Sequence, residues 1–417
     1  LNVSLYDLMA FIPPLLGALA VIFIALTVKE LTGSDLAAVL SAFTYALMFI
    51  SREAAGFTVK YSFGLFTAPL AIWLHVRFLK KPTIENAVIA GAALAYASSV
   101  WTGVGLTAIP IYLSLILTPF VTDLSGIGVF KKYTIASAVE IGITTIAMLS
   151  MHPYLGGRAV IWIALLIAFA FFCIGALFQI CFGRKRGLRL YTLLFTTLAV
   201  AGIAVVWAMA TNRWFYEQFT KILPIAGKIL LALGINPGGV AATVAEYQPG
   251  YIRMEWHLVA LLMITVFLLL PLALIDFVRK RSTALLSVAL WGILAWYATY
   301  HTAYFSDYSK LALSVAAGIA VGLLLQMSRP SVRVIGRMVK VAMGFGKVIA
   351  LLLAVVISVP TIYIAYDSTQ NYNKYTLLAH AEGFPEPTDV WAKALEFIRT
   401  NTSKNALVIS WWDYGYW

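Results

Sequence analysis

His257-Leu258-Val259-Ala260-Leu261-Leu262-Met263-Ile264-Thr265-Val266-Phe267-Leu268-Leu269-Leu270-Pro271-Leu272-Ala273-Leu274-Ile275-Asp276-Phe277 is an almost unbroken apolar run, closed by Arg279-Lys280-Arg281. A helix rising about 1.5 Å per residue needs about 20 apolar residues to cross the hydrocarbon core of a bilayer. A helix on the surface of a soluble domain would carry a polar stripe every three to four residues, and this run has none. The basic triplet at its end is the flank expected on the cytoplasmic side of a span. The stretch therefore predicts a transmembrane helix and sets a side for its end.

Working outward, similar runs recur at about 8–28, 36–50, 62–79, 134–150, 158–182, 190–211, 284–301, 310–327 and 347–366. The run 86–121 is long enough for two spans, broken near Trp101-Thr102-Gly103. About twelve spans can be drawn in all. The chain of 417 residues is 61% hydrophobic and only 12% charged, with a mean hydropathy of +0.88. Soluble domains carry about 25% charged residues, so the expected class is an all-α polytopic membrane protein. The net charge of +12 then reports loop topology and excludes a nucleic-acid partner as its reason. Placing Arg77 to Lys81 in the cytoplasm and alternating puts Lys131-Lys132, Arg184 to Arg189, Arg279 to Arg281 and Arg329 to Lys347 there too. Segments 51–61, 212–256, 302–309 and the tail then face outward. The expected organisation is a membrane domain over 1–366 and, over 367–417, the beginning of an extracytoplasmic mixed α/β domain. In that tail Thr388-Asp389 caps an amphipathic stretch, and Ala406-Leu407-Val408-Ile409 reads as a buried strand. The two cysteines, Cys173 and Cys181, give no disulfide framework, and the five histidines share no metal-ligand spacing. Glu140 and Asp276 are the acids in or beside spans.

After that strand comes Ser410-Trp411-Trp412-Asp413-Tyr414-Gly415-Tyr416-Trp417. Indole N–H only donates and a carboxylate only accepts, so together they suit a hydroxyl, which does both. The alternative is an aromatic belt at the membrane surface, but the stretch lies well past the last apolar span. Trp411-Trp412-Asp413-Tyr414-Gly415 resembles the WWDYG signature of the catalytic subunit of oligosaccharyltransferase. The context Glu246-Tyr247-Gln248-Pro249 and the compact loops look archaeal. On this resemblance the chain is a piece of a longer protein, cut at both ends, with a GT-C-type transmembrane glycosyltransferase fold.

The resemblance implies transfer of an oligosaccharide from a lipid-linked dolichyl phosphate or pyrophosphate to Asn in Asn-X-Ser/Thr. It implies that Trp411, Trp412, Asp413 and Tyr414 bind the acceptor hydroxyl, and that Glu246, in Thr243-Val244-Ala245-Glu246, binds a divalent metal (Mn²⁺ or Mg²⁺) and touches the acceptor. By residues alone Glu246 is a solvated loop charge. The outer stretch Ile50 to Phe57, with Arg52 and Glu53, looks like the family's second outer loop. The Asp-X-Asp-like metal motif expected after it is replaced by Val59-Lys60-Tyr61, leaving Glu53 as the nearby acid. Lys60 is either a cation for the donor phosphate or an interfacial lysine reaching toward water. Lys310 stands near the position of a family arginine that contacts the lipid-linked phosphate; it is equally a helix-end anchor paired with Asp307. Expected partners are the lipid-linked oligosaccharide, acceptor proteins and the bilayer, for a single-subunit, multi-pass enzyme of the plasma membrane acting on its outer face. The competing readings are another lipid-linked-sugar transferase, a sequon-binding paralogue without activity, and a transporter or flippase. Asn2-Val3-Ser4 and Asn401-Thr402-Ser403 are themselves sequons.

Overall fold

In the computed structural model the described residues are 5–48, 60–100, 108–150, 159–212, 256–279, 283–301, 305–327 and 396–403, with single helical positions between 348 and 393. The chain divides into two units, Leu1–Thr361 and Ile362–Trp417. In the second unit residues 396–401 are helical, in line with the amphipathic stretch expected there.

The described residues of the first unit are helices joined by short non-helical links such as 33–34, 81–83 and 122–126. Its helices are α1 (Leu5–Thr32), α2 (Asp35–Leu47), α3 (Lys60–Lys80), α4 (Ile84–Val100), α5 (Ile109–Val121), α6 (Ile127–Ser150), α7 (Ala159–Thr211), α8 (Trp256–Ile264), α9 (Leu270–Val278), α10 (Ala284–His301) and α11 (Ser306–Met327). A π-helical segment, Thr265–Leu269, joins α8 to α9. The apolar run that opened the sequence reading is thus one continuous span with a wider turn at its centre.

Among the described residues, five helical stretches are long and apolar enough to cross a membrane: Phe11–Thr32, Leu165–Val205, Leu258–Val278, Ala284–His301 and Ser306–Gln326. Asp35–Leu47, Ile84–Val100 and Ile109–Val121 are shorter apolar helices. Leu165–Val205 holds two arms, because α7 folds back at Gly183, whose φ of 73° suits a residue without Cβ. Between the spans expected at 158–182 and 190–211, Arg184, Lys185 and Arg186 therefore open the second arm rather than form a loop.

Large apolar side chains point away from the protein along these helices, among them Phe11, Leu15, Ile146, Ile203, Trp207, Phe267 and Val278, each more than half exposed. Apolar surface on this scale is costly in water and neutral against lipid. The molecule is a multi-pass membrane protein.

Helix α11 is the axis of the larger core, and its residues 308–322 are all buried. Small residues explain its position: Ser314, Ala316, Ala317, Gly318, Ala320 and Gly322 let neighbouring backbones approach. A Cβ on Gly318 would meet Ser41 at 2.5 Å, and one on Gly322 would meet Thr32 at 2.6 Å. Around α11 pack α1, α2, α8 and α10. A second core, with Leu94, Ala97, Ile111, Leu115, Ile141 and Leu165, joins α3 to α7.

One end of this unit is stitched by polar contacts. Lys80 pairs with Glu30 at 3.3 Å, Lys29 with Asp35 at 2.7 Å, and Gln326 donates to the Thr32 carbonyl. Arg184 pairs with Asp123 at 3.2 Å, and Phe120 meets Phe277, beside Arg279. Lys29, Lys80 and Arg184 are thus each held by an acid at a helix end.

Candidate functional site at the opposite helix ends

The other end of α2 and the start of α11 meet through a defined register. Ser41 donates to the Ser314 carbonyl at 2.8 Å, and Ser314 Oγ approaches Met48 Sδ at 3.7 Å. The two helices are antiparallel, so Tyr45, one turn beyond Ser41, faces the turn of α11 that carries Lys310. Lys310 is only 3% exposed. Its ammonium lies 3.6 Å from the Asp307 carboxylate, on the same helix face three residues earlier. Next to it Ser309 is tied to α10: its hydroxyl meets Thr299 Oγ1 at 2.5 Å and donates to the Ala295 carbonyl at 2.6 Å. Tyr308 is fully buried on the same turn. The Tyr45 phenol is 1% exposed, lies within electrostatic reach of Asp307, and has no hydrogen-bond partner.

A lysine at this depth keeps its charge only beside a counter-ion. Asp307 supplies that negative charge, so the pairing with Asp307 expected as one alternative is present. Burial goes beyond a surface anchor, however. The turn thus brings a buried cation and a carboxylate together.

Of the other sequence-predicted site residues, Lys60 is the first residue of α3, at the end of the bundle where α2 finishes and α11 begins. The structure thus brings the two candidate cations to the same end, on different helices. Arg52, Glu53, Val59, Glu246, Trp411, Trp412, Asp413 and Tyr414 lie outside the described residues. Among the described residues no three His, Cys, Asp or Glu side chains group in a way that could hold a metal ion. Glu246 and Glu53 remain the candidate ligands from the sequence.

The sequence reading missed a buried polar chain in the second core. His75 Nδ1 lies 2.8 Å from Glu140 Oε1, and His75 Nε2 lies 2.8 Å from Ser114 Oγ. Both ionisable side chains are at most 3% exposed. The Ser114 hydroxyl donates its proton to the Ile111 carbonyl at 2.8 Å, so it accepts from His75 Nε2–H. One proton is then left for the line between Nδ1 and Oε1, and the pair has no net charge whichever atom holds it. Close helix approach makes the contact possible: a Cβ on Gly91 would meet the Glu140 carbonyl oxygen at 2.5 Å. Glu140 and His75 were visible in the sequence as isolated residues; 65 positions separate them, and only packing pairs them.

No protein-family model matches the chain. It is 24% identical to dolichyl-phosphooligosaccharide-protein glycotransferase 3 of Archaeoglobus fulgidus, over 99% of this chain and 52% of that protein. A segment of 27 residues is 63% identical to dolichyl-phosphooligosaccharide-protein glycotransferase 1 of Pyrococcus horikoshii, covering 6% of this chain and 3% of that protein. Among solved structures, the archaeal oligosaccharyltransferase AglB from Archaeoglobus fulgidus, in complex with an inhibitory peptide and a dolichol-phosphate, superposes with a TM-score of 0.62. The match is 19% identical and covers 98% of this chain and 52% of that one. The chain therefore spans about half the length of the relatives it matches, and over nearly all of its own length it is similar in sequence and fold to an archaeal oligosaccharyltransferase.

Proposed function

We propose that the protein is a membrane glycosyltransferase that moves an oligosaccharide from a lipid-linked phosphate donor to asparagine in Asn-X-Ser/Thr. The observation that carries this reading is similarity to a dolichyl-phosphooligosaccharide-protein glycotransferase along 99% of the chain. The site residues fit it chemically. An amide nitrogen is a poor nucleophile because its lone pair is delocalised, and a carboxylate accepting its N–H groups localises that pair. Glu246 takes this role. The leaving phosphate develops negative charge that needs a fixed cation in a water-poor place. Lys310, buried at the helix ends, supplies that charge as a point rather than a fork, with Lys60 and Arg52 as further cations on the same face. A divalent cation at Glu246, completed by Glu53, would add Lewis-acid stabilisation of the leaving group.

In this reading about twelve spans hold the carrier lipid in the bilayer while its head reaches the outer face. Segments 51–61, 212–256 and 302–309 and the domain beginning at 367 lie on that face. The Trp411, Trp412, Asp413 and Tyr414 group there reads the acceptor hydroxyl, and one subunit carries both donor and acceptor sites. Binding of Asn-X-Thr and Asn-X-Ala peptides to the parent and to Asp413→Ala tests the acceptor assignment. The parent should prefer the threonine peptide by about 1–3 kcal/mol, as for a buried hydroxyl left unpaired, and Asp413→Ala should abolish the preference. Equal binding of both peptides by the parent refutes it.

A further inference from the structure

Arg184, Lys185, Arg186 and Arg189 crowd the start of the second arm of α7, and two of them are already engaged. Arg184 pairs with Asp123 at 3.2 Å, and the Arg186 guanidinium lies over the Phe182 ring, 5.7 Å from its centre. Lys185 and Arg189 are exposed, and their side chains make no ion pair or hydrogen bond among the described residues. They stand one turn apart and, with Leu188 and Thr192, line a groove of about 390 Å³, a volume in the range of small-ligand sites. Thr192 donates its hydroxyl to the Leu188 carbonyl at 2.8 Å. Among these four lining residues the two cations are therefore the donors left for a ligand.

Packing turns this face outward. A Cβ on Gly187 would meet the Phe178 carbonyl oxygen, so Gly187 is where the second arm presses on the first. At about 100° per residue, Lys185 and Arg189 stand about 160° round the helix from Gly187. The face continues at helical spacing through Leu193, Thr196, Val200, Ile203 and Trp207. All five are exposed, the four apolar ones by more than half. From Arg189 to Trp207 the arm rises about 27 Å at about 1.5 Å per residue, close to the thickness of a hydrocarbon core. An indole at one end and cations at the other match the two interfaces of a bilayer, which sets the groove at headgroup depth.

We propose that the Lys185–Arg189 groove binds an anionic membrane phospholipid, with the phosphate between the two cations and the acyl chains along Leu193 and Val200. Like charges one turn apart repel, and an anion shared between them removes that cost. The apolar track begins where the cations end, so one molecule carrying a phosphate and acyl chains satisfies both. None of these residues is assigned to the donor or the acceptor, and the inference stands apart from the transferase reading.

The test is native mass spectrometry of the purified protein in neutral detergent, titrated with phosphatidylglycerol or with phosphatidylcholine of the same acyl chains. Each cation beside an anionic lipid contributes about fivefold in affinity. Lys185→Gln with Arg189→Gln should therefore weaken phosphatidylglycerol binding by about thirtyfold and leave phosphatidylcholine unchanged. Lys131→Gln with Lys132→Gln removes the same charge outside the groove and should leave both affinities within about twofold. Lys185→Arg with Arg189→Lys keeps both charges and should stay within about threefold of the parent, which separates lost charge from lost fold. Equal affinity of the parent for the two lipids overturns the proposal, and so does an unchanged Lys185→Gln, Arg189→Gln variant. An equal loss in the Lys131 and Lys132 variant also overturns it, because diffuse net charge would then explain the binding. Inorganic phosphate that competes as well as phosphatidylglycerol would make the groove a free-anion site and refute the lipid assignment.

Discussion

Breaking the His75–Glu140 pair should be costly, while replacing its acid by an amide should be nearly free. His75→Ala leaves Glu140 fully buried with no partner, the situation in which removing one member of a buried pair costs about 3–5 kcal/mol. That is a factor of about 10² to 10³ or more in the folding equilibrium. Glu140→Ala strips His75 Nδ1 of its partner, worth about 1–3 kcal/mol, and adds the cavity left by a long side chain. Glu140→Gln differs in kind. Ser114 donates to Ile111, so His75 Nε2 keeps its proton and Nδ1 is free to accept. The glutamine N–H then occupies the place of the shared proton, and the second oxygen, Oε2, is without a partner already in the parent. The expected loss is under about 1.5 kcal/mol, the net worth of one neutral hydrogen bond. Reversible unfolding in mixed micelles, followed by tryptophan fluorescence, ranks the three variants. A Glu140→Gln as damaging as Glu140→Ala would show that the pair works through a full negative charge, and the neutral accounting would fall.

Two further outcomes follow from the ends of the helices. Asp123, between α5 and α6, accepts from the Ser125 hydroxyl and from Arg184, which hold its carboxyl below the usual aspartate range. Its depressed value contributes stability above the unfolded value and loses it as the pH falls through the folded one. Asp123→Asn should thus cost under about 1 kcal/mol at neutral pH, and its difference from the parent should shrink on acidification; a difference that grows on acidification would contradict the assignment. For orientation, cysteines introduced at Ser306 and Thr388, with Cys173 and Cys181 replaced, should react with an impermeant thiol reagent in intact cells. Protection of either would place the Lys310 end or the tail on the wrong side.

What the sequence made legible follows one rule: features written within one helix or one loop could be read, and features made by packing could not. The run 257–277 reads as a span because length and polarity suffice, and it is helical from Trp256 to Val278. Asp307 and Lys310 read as a pair because three residues on a helix share a face. The π-helical turn at Thr265–Leu269 changes no residue type and leaves no trace in hydropathy. Arg184-Lys185-Arg186 reads as a loop because charge usually ends a span, yet a single glycine makes the turn and the basic residues continue as helix. Tyr45 reads as one more aromatic in an apolar stretch. Its burial against the Lys310 turn depends on the register of two helices about 270 residues apart, set by Ser41 and Ser314. The motif Trp411-Trp412-Asp413-Tyr414-Gly415 is legible from residue type alone and still carries the acceptor half of the proposal.

The most direct measurement is in vitro transfer, with the purified protein, a labelled Asn-X-Thr peptide and native lipid extract as donor source. The account predicts a peptide heavier by one oligosaccharide, absent with an Asn-X-Ala peptide and absent when Glu246→Gln replaces the parent. Transfer that survives Glu246→Gln, or glycosylation of the alanine peptide at the same rate, would contradict it.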